Sequence, residues 1–376
     1  MPDDNFCVLP FIQTVVRTDG LMSPCCAMKG SDNIRDQSIQ QYWTGDKMKQ
    51  LRHQMLNENN NISACHICYQ QEELTGKSMR TSSLLEADHK FLNKKYHKKT
   101  LEYYNYNNLA FPKRLEMHLG NLCNLKCLTC RPEDSSMFLS ENRTLKISNH
   151  SQQDYQLDND VLENNLKTAL SQNITRLDLR GGETMLMPGV KKILSELGEN
   201  QCNITLRIQT NATILDNEWK LILDKFQHVE LMISLDAFDD ANTYIRYPSV
   251  WSDIERNIEY FQSLKNTELY VNCTVSNLNF LILPNLIDWT RQKNLYFHYA
   301  TLINPDIYRF NNMPRDLFEL GKQRLKNYSE VAGLLNSESD SVLWPEFCQM
   351  IDKRDTHRKN KIFNIVPEFE QHWTLQ

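Results

Sequence analysis

The sequence predicts an α/β fold between residues 111 and 310: a curved, mostly parallel sheet wrapped by helices. A small cysteine-rich domain precedes it and a helical extension follows. Three observations carry that expectation. Six strand-like runs alternate with helix-like runs, the pattern of βα units. Within each run, apolar and polar residues alternate, where doubly buried parallel strands would read as unbroken apolar stretches. The eleven cysteines of the 376-residue chain gather mainly before this pattern and at its start.

Residues 1–82 read as short elements between cysteines. Cys7 precedes Leu9-Pro10-Phe11, and Asp19-Gly20 predicts a hairpin turn that brings Cys7 and Cys25 together. Pro24-Cys25-Cys26 follows, then Trp43, Lys49-Gln50-Leu51-Arg52 and Cys65-His66-Ile67-Cys68. Residues 83–110 read as a connector. Its basic run (Lys90, Lys94, Lys95, His97, Lys98, Lys99) reads as a solvated helix face.

Strands are expected at 115–119, 176–180, 205–210, 231–236, 270–276 and 295–300. Between them, Pro188 is a suitable first helical residue and Gly198 a stop. Ser252-Asp253-Ile254-Glu255 reads as a capping box before an apolar stripe of Ile254, Ile258 and Phe261. One face of the strands is apolar: Leu177 and Leu179; Leu206 and Ile208; Leu231, Ile233 and Leu235; Val271, Cys273 and Val275. The other is polar: Glu116 and His118; Asp178 and Arg180; Arg207 and Gln209; Ser234 and Asp236; Asn272 and Thr274; His298. Helices over the apolar face leave the polar set to line a lumen. Half-exposed antiparallel strands are the alternative. Residues 311–376, with Asp352-Lys353-Arg354-Asp355 and Asn364 to Glu368, read as a closing helix and tail.

Composition bounds the function. Hydrophobic residues make up 40 % and charged residues 24 %, ordinary globular values. A formal charge of −5 argues against a general nucleic-acid binder. No run is long and apolar enough to span a membrane. Met1 to Asn5 lacks an export signal, so a cytoplasmic location is expected. There, clustered cysteines point to metal or redox chemistry rather than disulfides. Cys202, Cys273 and Cys348 stand alone and read as buried thiols.

The strongest motif is Cys123-Asn124-Leu125-Lys126-Cys127-Leu128-Thr129-Cys130, which follows the first strand through Gly120-Asn121-Leu122. Three thiolates at this spacing suit three corners of a [4Fe–4S] cluster and leave one iron open. A zinc site completed by His118 is the other reading. Arg180-Gly181-Gly182-Glu183 closes the second strand.

These motifs resemble the radical S-adenosylmethionine enzymes over Leu115 to about Pro305. The resemblance implies a partial (β/α)6 TIM-like barrel as the core. It implies that Gly181, Gly182 and Glu183 meet the amino group of S-adenosylmethionine. Asn211 ends the third strand. Ser234 is at the position where the family often contacts the ribose, and Arg246 resembles the arginine that pairs with the methionine carboxylate. The family usually has an aromatic residue before the third cysteine; here it is Thr129, so adenine is expected to be held elsewhere, near Tyr299 to Ile303. The N-terminal segment resembles the SPASM/twitch auxiliary-cluster region, which in that family usually follows the barrel. A second [4Fe–4S] cluster on Cys7, Cys25, Cys65 and Cys68 is implied. Cys26 is the alternative to Cys25, and a four-cysteine zinc ribbon is the alternative content.

The expected activity is therefore reductive cleavage of S-adenosylmethionine and hydrogen abstraction from a substrate carbon, with the auxiliary cluster handling electrons. A peptide or protein is the first expectation for the substrate and a small polar metabolite the second. A flavodoxin- or ferredoxin-like reductant is the expected partner. Asp178, Asp236 and His298 are candidate bases. A non-catalytic iron–sulfur or zinc protein is the reading from a different class.

Overall fold

The computed structural model describes residues 6–57, 62–76, 78–86, 110–147, 159–172, 174–198 and 202–374. The basic run Lys90 to Lys99 lies outside the described residues. Nine strands are described: β1 Gln13–Val16, β2 Leu21–Ser23, β3 Asp32–Asn33, β4 Arg114–His118, β5 Arg176–Arg180, β6 Thr205–Thr210, β7 His228–Ser234, β8 Thr267–Val275 and β9 Tyr296–Thr301. The chain divides into two compact units. One holds residues 1–120, 155–180 and 192–206; the other holds 121–154, 181–191 and 207–376.

In the first unit the strand order is β3-β2-β1-β4-β5. β1 pairs antiparallel with β2 across the Asp19-Gly20 turn. Gly20 sits at φ +84°, and a Cβ there would stand 2.5 Å from Asn33 Oδ1, so the turn requires glycine. β1 also pairs parallel with β4, Gln13 opposite Arg114, and β4 parallel with β5. The pattern of the sequence did not announce the β1–β4 ladder. Leu115, Met117, Leu177 and Leu179 are buried on one face, and so are Leu162, Leu166 and Ala169 of the helix Asn159–Ser171.

The second unit continues β6 with β7, β8 and β9 in that order. β7–β8 and β8–β9 are parallel. Ile208, Leu231, Ile233, Val271 and Val275 are buried on the apolar face. Helix residues that supply the covering layer include Trp219 and Ile222, Ile254, Ile258 and Phe261, and Leu286 and Ile287. The fold is thus mixed α/β with a parallel sheet and helices at the C-terminus.

Two expectations need correction. β7 begins three residues before Leu231 and β8 three before Tyr270, because charged strand ends are paired there: Glu230 accepts from Arg207 Nε at 2.8 Å. The capping box does not form. The helix starts at Trp251, with Val250 at the N-cap and no side-chain cap. Trp251 packs edge-on against Phe238 and Trp289, at centroid distances of 5.2 and 5.1 Å, and this aromatic contact sets the helix start. Glu255 instead faces Trp289 Nε1 and Lys293.

Candidate active site and auxiliary metal centre

In the second unit the loop carrying Cys123, Cys127 and Cys130 is built by its neighbours. Leu125 and Leu128 are buried and anchor it. Cys123, Leu125 and Cys127 form one packed cluster with Cys130 against it. The helix Ser136–Thr144 grips one side: Ser135 Oγ donates to Leu125 O at 2.6 Å, and Cys123 N–H donates to Ser136 Oγ at 3.2 Å. On the other side, Lys126 N–H donates to Tyr247 O at 2.7 Å and Leu128 N–H to Ile245 O at 2.9 Å. Leu125 N–H points at Cys123 Sγ (3.4 Å), a contact that favours a thiolate. Burial pushes the Cys123 thiol up to about 12, and raises Cys127 and Cys130 too. A bound cation would favour ionising them.

Gly181-Gly182-Glu183 runs beside the start of this loop, with Glu183 N–H donating to Leu122 O at 2.8 Å. A Cβ at Gly182 would stand 2.4 Å from Leu122 O, so this approach is open to glycine alone. Glu183 is fully buried and its carboxylate is engaged within the protein. Oε1 accepts from Met185 N–H (3.0 Å) and Thr210 Oγ1 (2.7 Å), and Oε2 from Asn211 N–H (2.7 Å). That geometry makes Glu183 a buttress of the loop. The backbone of the two half-buried glycines is what remains for an ammonium group.

Asn211 Nδ2 donates to Asn124 Oδ1 at 3.0 Å, and Asn124 Nδ2 to Thr213 Oγ1 at 2.8 Å. Asn211 thus ties the end of β6 to the cysteine loop. Ser234 ends β7 and meets Gln209 Nε2 at 3.5 Å. Arg246 Nη1 donates to Asp236 Oδ2 at 2.9 Å, while its buried Nε has no partner among the described residues. An unsatisfied guanidinium N–H beside the cysteines is a place for a carboxylate. Asp236 is fully buried and also accepts from Thr274 N–H and Thr129 Oγ1. Thr129 therefore orients the carboxylate that orients Arg246. Of the candidate bases in this unit, His298 alone is exposed, in contact with the ring of Tyr270 (5.3 Å). Partial desolvation of its ring lowers its pKa, against the opposing charge of Glu230. Tyr270 also stacks on Tyr296 (5.0 Å).

In the first unit Cys7, Cys25, Cys65 and Cys68 lie within electrostatic reach of one another, so each negative charge opposes the next. Burial pushes Cys25 and Cys65 up to about 11. Cys26 faces another way, toward Glu116, Arg180 and Met79, whose Sδ is 3.7 Å from its Sγ. Cys65 opens the helix His66–Thr75, whose N-terminal end favours thiolates. Arg80 forms a buried pair with Glu72 and donates to Phe6 O at 2.9 Å, fixing the backbone before Cys7. Arg52 does the same at Pro10 O (2.8 Å). Arg52 is visible in the sequence only as part of Lys49-Gln50-Leu51-Arg52, and Arg80 does not stand out, since the Phe6 carbonyl it holds is 74 residues away. A cavity of about 420 Å³ opens beside Pro24 and Ser63-Ala64. In the same unit His118 Nε2 is engaged by Glu116 Oε1 at 2.8 Å, and Asp178 by Arg176 Nε at 2.7 Å.

Among the described residues, His228, Glu230 and Glu268 are the set of three potential ligands whose donor atoms all lie within 4.8 Å. Their remaining oxygens go to Arg207 and Tyr270, as in a charged strand end. Cys202, Cys273 and Cys348 are buried.

Residues 117–290 match the model of the radical SAM superfamily, and residues 7–69 that of SPASM, an iron–sulfur cluster-binding domain. Over 190 residues, 49 % of this chain, the sequence is 26 % identical to molybdenum cofactor biosynthesis protein 1 of Dictyostelium discoideum; the chain spans 28 % of that protein's length. Among solved structures, it is similar to native anSMEcpe with bound AdoMet (20 % identity, TM-score 0.44, covering 60 % of this chain and 63 % of that one). It is also similar to Streptococcus suis SuiB bound to S-adenosylmethionine (17 %, TM-score 0.40, 88 % and 65 %). The two matched domains imply a [4Fe–4S] cluster with S-adenosylmethionine in one and auxiliary iron–sulfur in the other.

Proposed function

We infer, for a chain that carries a radical S-adenosylmethionine domain at residues 117–290 and an iron–sulfur cluster-binding domain at residues 7–69, an enzyme that modifies a peptide or protein at an unreactive carbon. Cys123, Cys127 and Cys130 would hold an iron–sulfur cluster, which would supply the one-electron reductive cleavage of S-adenosylmethionine that hydrogen abstraction from the substrate requires. The observation that carries this reading is the loop itself. Two buried thiols and a partly buried third share one apolar cluster in the unit that also holds Gly182, which no larger residue can replace, and an arginine with an N–H unpaired among the described residues.

The protein's own residues do the positioning. Asp236 and Thr129 hold Arg246 for the methionine carboxylate. The Gly181-Gly182 backbone receives the ammonium, and Ser234 meets the ribose. Glu183 and Asn211 keep the loop in register. Burial of Leu125, Leu128 and Cys127 excludes water from the site where a radical must not be quenched. Cys7, Cys25, Cys65 and Cys68 would hold the auxiliary cluster; with all four thiolates committed, the chemistry it would supply there is electron transfer.

The peptide reading draws support from β9. It is the last strand in its order, its polar face is exposed, and Tyr296 is 60 % accessible. The terminal strand of a sheet is where an extended peptide can add by main-chain hydrogen bonds. A small polar metabolite is the second reading, favoured by the ring set of Tyr270, Tyr296 and His298.

Anaerobic reconstitution with iron and sulfide, then S-adenosylmethionine and dithionite, tests the reading. About eight irons per chain and 5′-deoxyadenosine that vanishes when Cys123, Cys127 and Cys130 become alanine are expected. Zinc in place of iron, or no 5′-deoxyadenosine from a loaded protein, would overturn it in favour of a non-catalytic metal protein.

A further inference from the structure

In the second unit the helix Trp344–Arg358 reaches the cysteine loop. Arg358 Nη2 donates at 2.6 Å to the carbonyl of Lys126, between Cys123 and Cys127. Its Nε and Nη2 also bind both oxygens of Glu141, at 2.9 and 2.6 Å. Arg354 Nη1 donates to Glu141 Oε2 at 2.6 Å and its Nη2 to Asn142 Oδ1 at 2.7 Å. Lys126 Nζ stands 3.5 Å from Glu141 Oε1. The Glu141 side chain has no exposure. From the same helix, Asp355 accepts from Tyr244 at 2.6 Å, next to the Ile245 carbonyl that holds Leu128.

Three cations therefore meet one buried carboxylate, and the charges do not cancel. Buried cations in excess are costly unless another anion faces them. Asp355 on the same helix is one anion within reach of Arg358, and the cysteine sulfurs, once ionised, are others. Arg358 thus acts on the loop twice, by a hydrogen bond to its backbone and by a positive charge held one residue from Cys127.

We propose that Arg358 is a positioning residue of the cysteine loop. Through it the C-terminal helix fixes the Lys126 carbonyl and supplies positive charge to the thiolates, so that its loss loosens the iron they hold and makes that iron harder to reduce. The proposal rests on reading Cys123, Cys127 and Cys130 as iron ligands.

Wild type, Arg358→Met, Arg358→Lys and Lys353→Met are compared after reconstitution. Lys353 is exposed on the same helix, so its variant removes a charge without a contact. Three quantities are read: iron loss to a chelator, the midpoint potential of the three-cysteine cluster by EPR titration, and amide exchange at Lys126 and Leu128. Arg358→Met is expected to lose iron about tenfold faster or more, to exchange both amides faster, and to have a lower potential than Arg358→Lys, which keeps the charge. Lys353→Met is expected to match wild type. If Arg358→Met fails to fold, Arg358→Lys decides: it loses the fork to Glu141 and Lys126, so its amides and iron loss must still accelerate. Arg358 variants indistinguishable from Lys353→Met would overturn the proposal alone. A wild type that holds no iron at Cys123, Cys127 and Cys130 would overturn the functional reading and this role with it.

Discussion

Gly182→Ala is expected to cost roughly 2–4 kcal/mol and most of the activity, from a single methyl group. A Cβ at this position would stand 2.4 Å from Leu122 O and 2.7 Å from Asn121 C and O. Ordinary C···O contact begins near ~3.3 Å, so the two segments must part by roughly 0.6–0.9 Å. All three atoms are backbone, and no side chain can turn aside. Overpacking of this kind costs about 1–3 kcal/mol. Stretching the 2.8 Å bond from Glu183 N–H to Leu122 O forfeits about 1 kcal/mol more. The displaced carbonyl is one residue from Cys123, and a shift near 1 Å at a reacting centre is worth about a hundredfold in rate. Urea denaturation of the apoprotein, retained iron and 5′-deoxyadenosine formation measure the three parts. Gly76→Ala is the comparison. It sits at φ +72° with nothing within 4 Å of the added carbon, so it should lose only about 1 kcal/mol of backbone energy and leave iron and rate unchanged. A Gly182→Ala protein with wild-type urea midpoint and wild-type 5′-deoxyadenosine formation would refute the reasoning.

Cys25→Ser should lower reconstituted iron from about eight per chain toward four, whereas Cys26→Ser should leave it unchanged; iron analysis decides. Glu183→Gln places an amide where Oε2 now accepts the Asn211 N–H, a cost of about 1–3 kcal/mol, visible by urea denaturation together with faster iron loss. Burial opposes ionisation of Glu116, but Arg180, His118 and Arg114 outweigh it and hold its pKa down at about 2. Its folded value lies below its unfolded value of ~4.3, so its stabilisation is complete above about pH 4.5 and fades as pH falls toward 2. Glu116→Gln should therefore lose up to ~3 kcal/mol at pH 7 and show a flatter stability profile between pH 5 and 2; an unchanged profile would rule the ion pair out.

The parts legible in the sequence were those with a local signal. Period-two alternation in β5, β6 and β8 reflects faces set by the pleat. Cysteine spacing and Asp19-Gly20 are features of a few consecutive residues. What stayed illegible was set by distant partners. Glu141 and Arg358 are 217 residues apart, and no spacing rule links them. β1 is buried throughout, and nothing in Gln13-Thr14-Val15-Val16 says which strand will take its second edge. Glu183 read as a ligand because its motif is exposed in sequence, while its burial depends on Thr210 and Asn211. Ser252 and Glu255 had the right letters for a cap, and tryptophan packing overrode them.

The ladder between β1 and β4 also orders events during synthesis. Gln13 waits for Arg114, and at about 5–20 residues per second that wait lasts roughly 5–20 s. Throughout it, an apolar strand edge and the cysteines flanking it stand on the nascent chain without their final neighbour. Such an edge invites pairing with other chains. Conditions that slow such encounters or supply iron early, such as cool, dilute, anaerobic expression, should raise the yield of soluble protein more than any stabilisation of the finished fold.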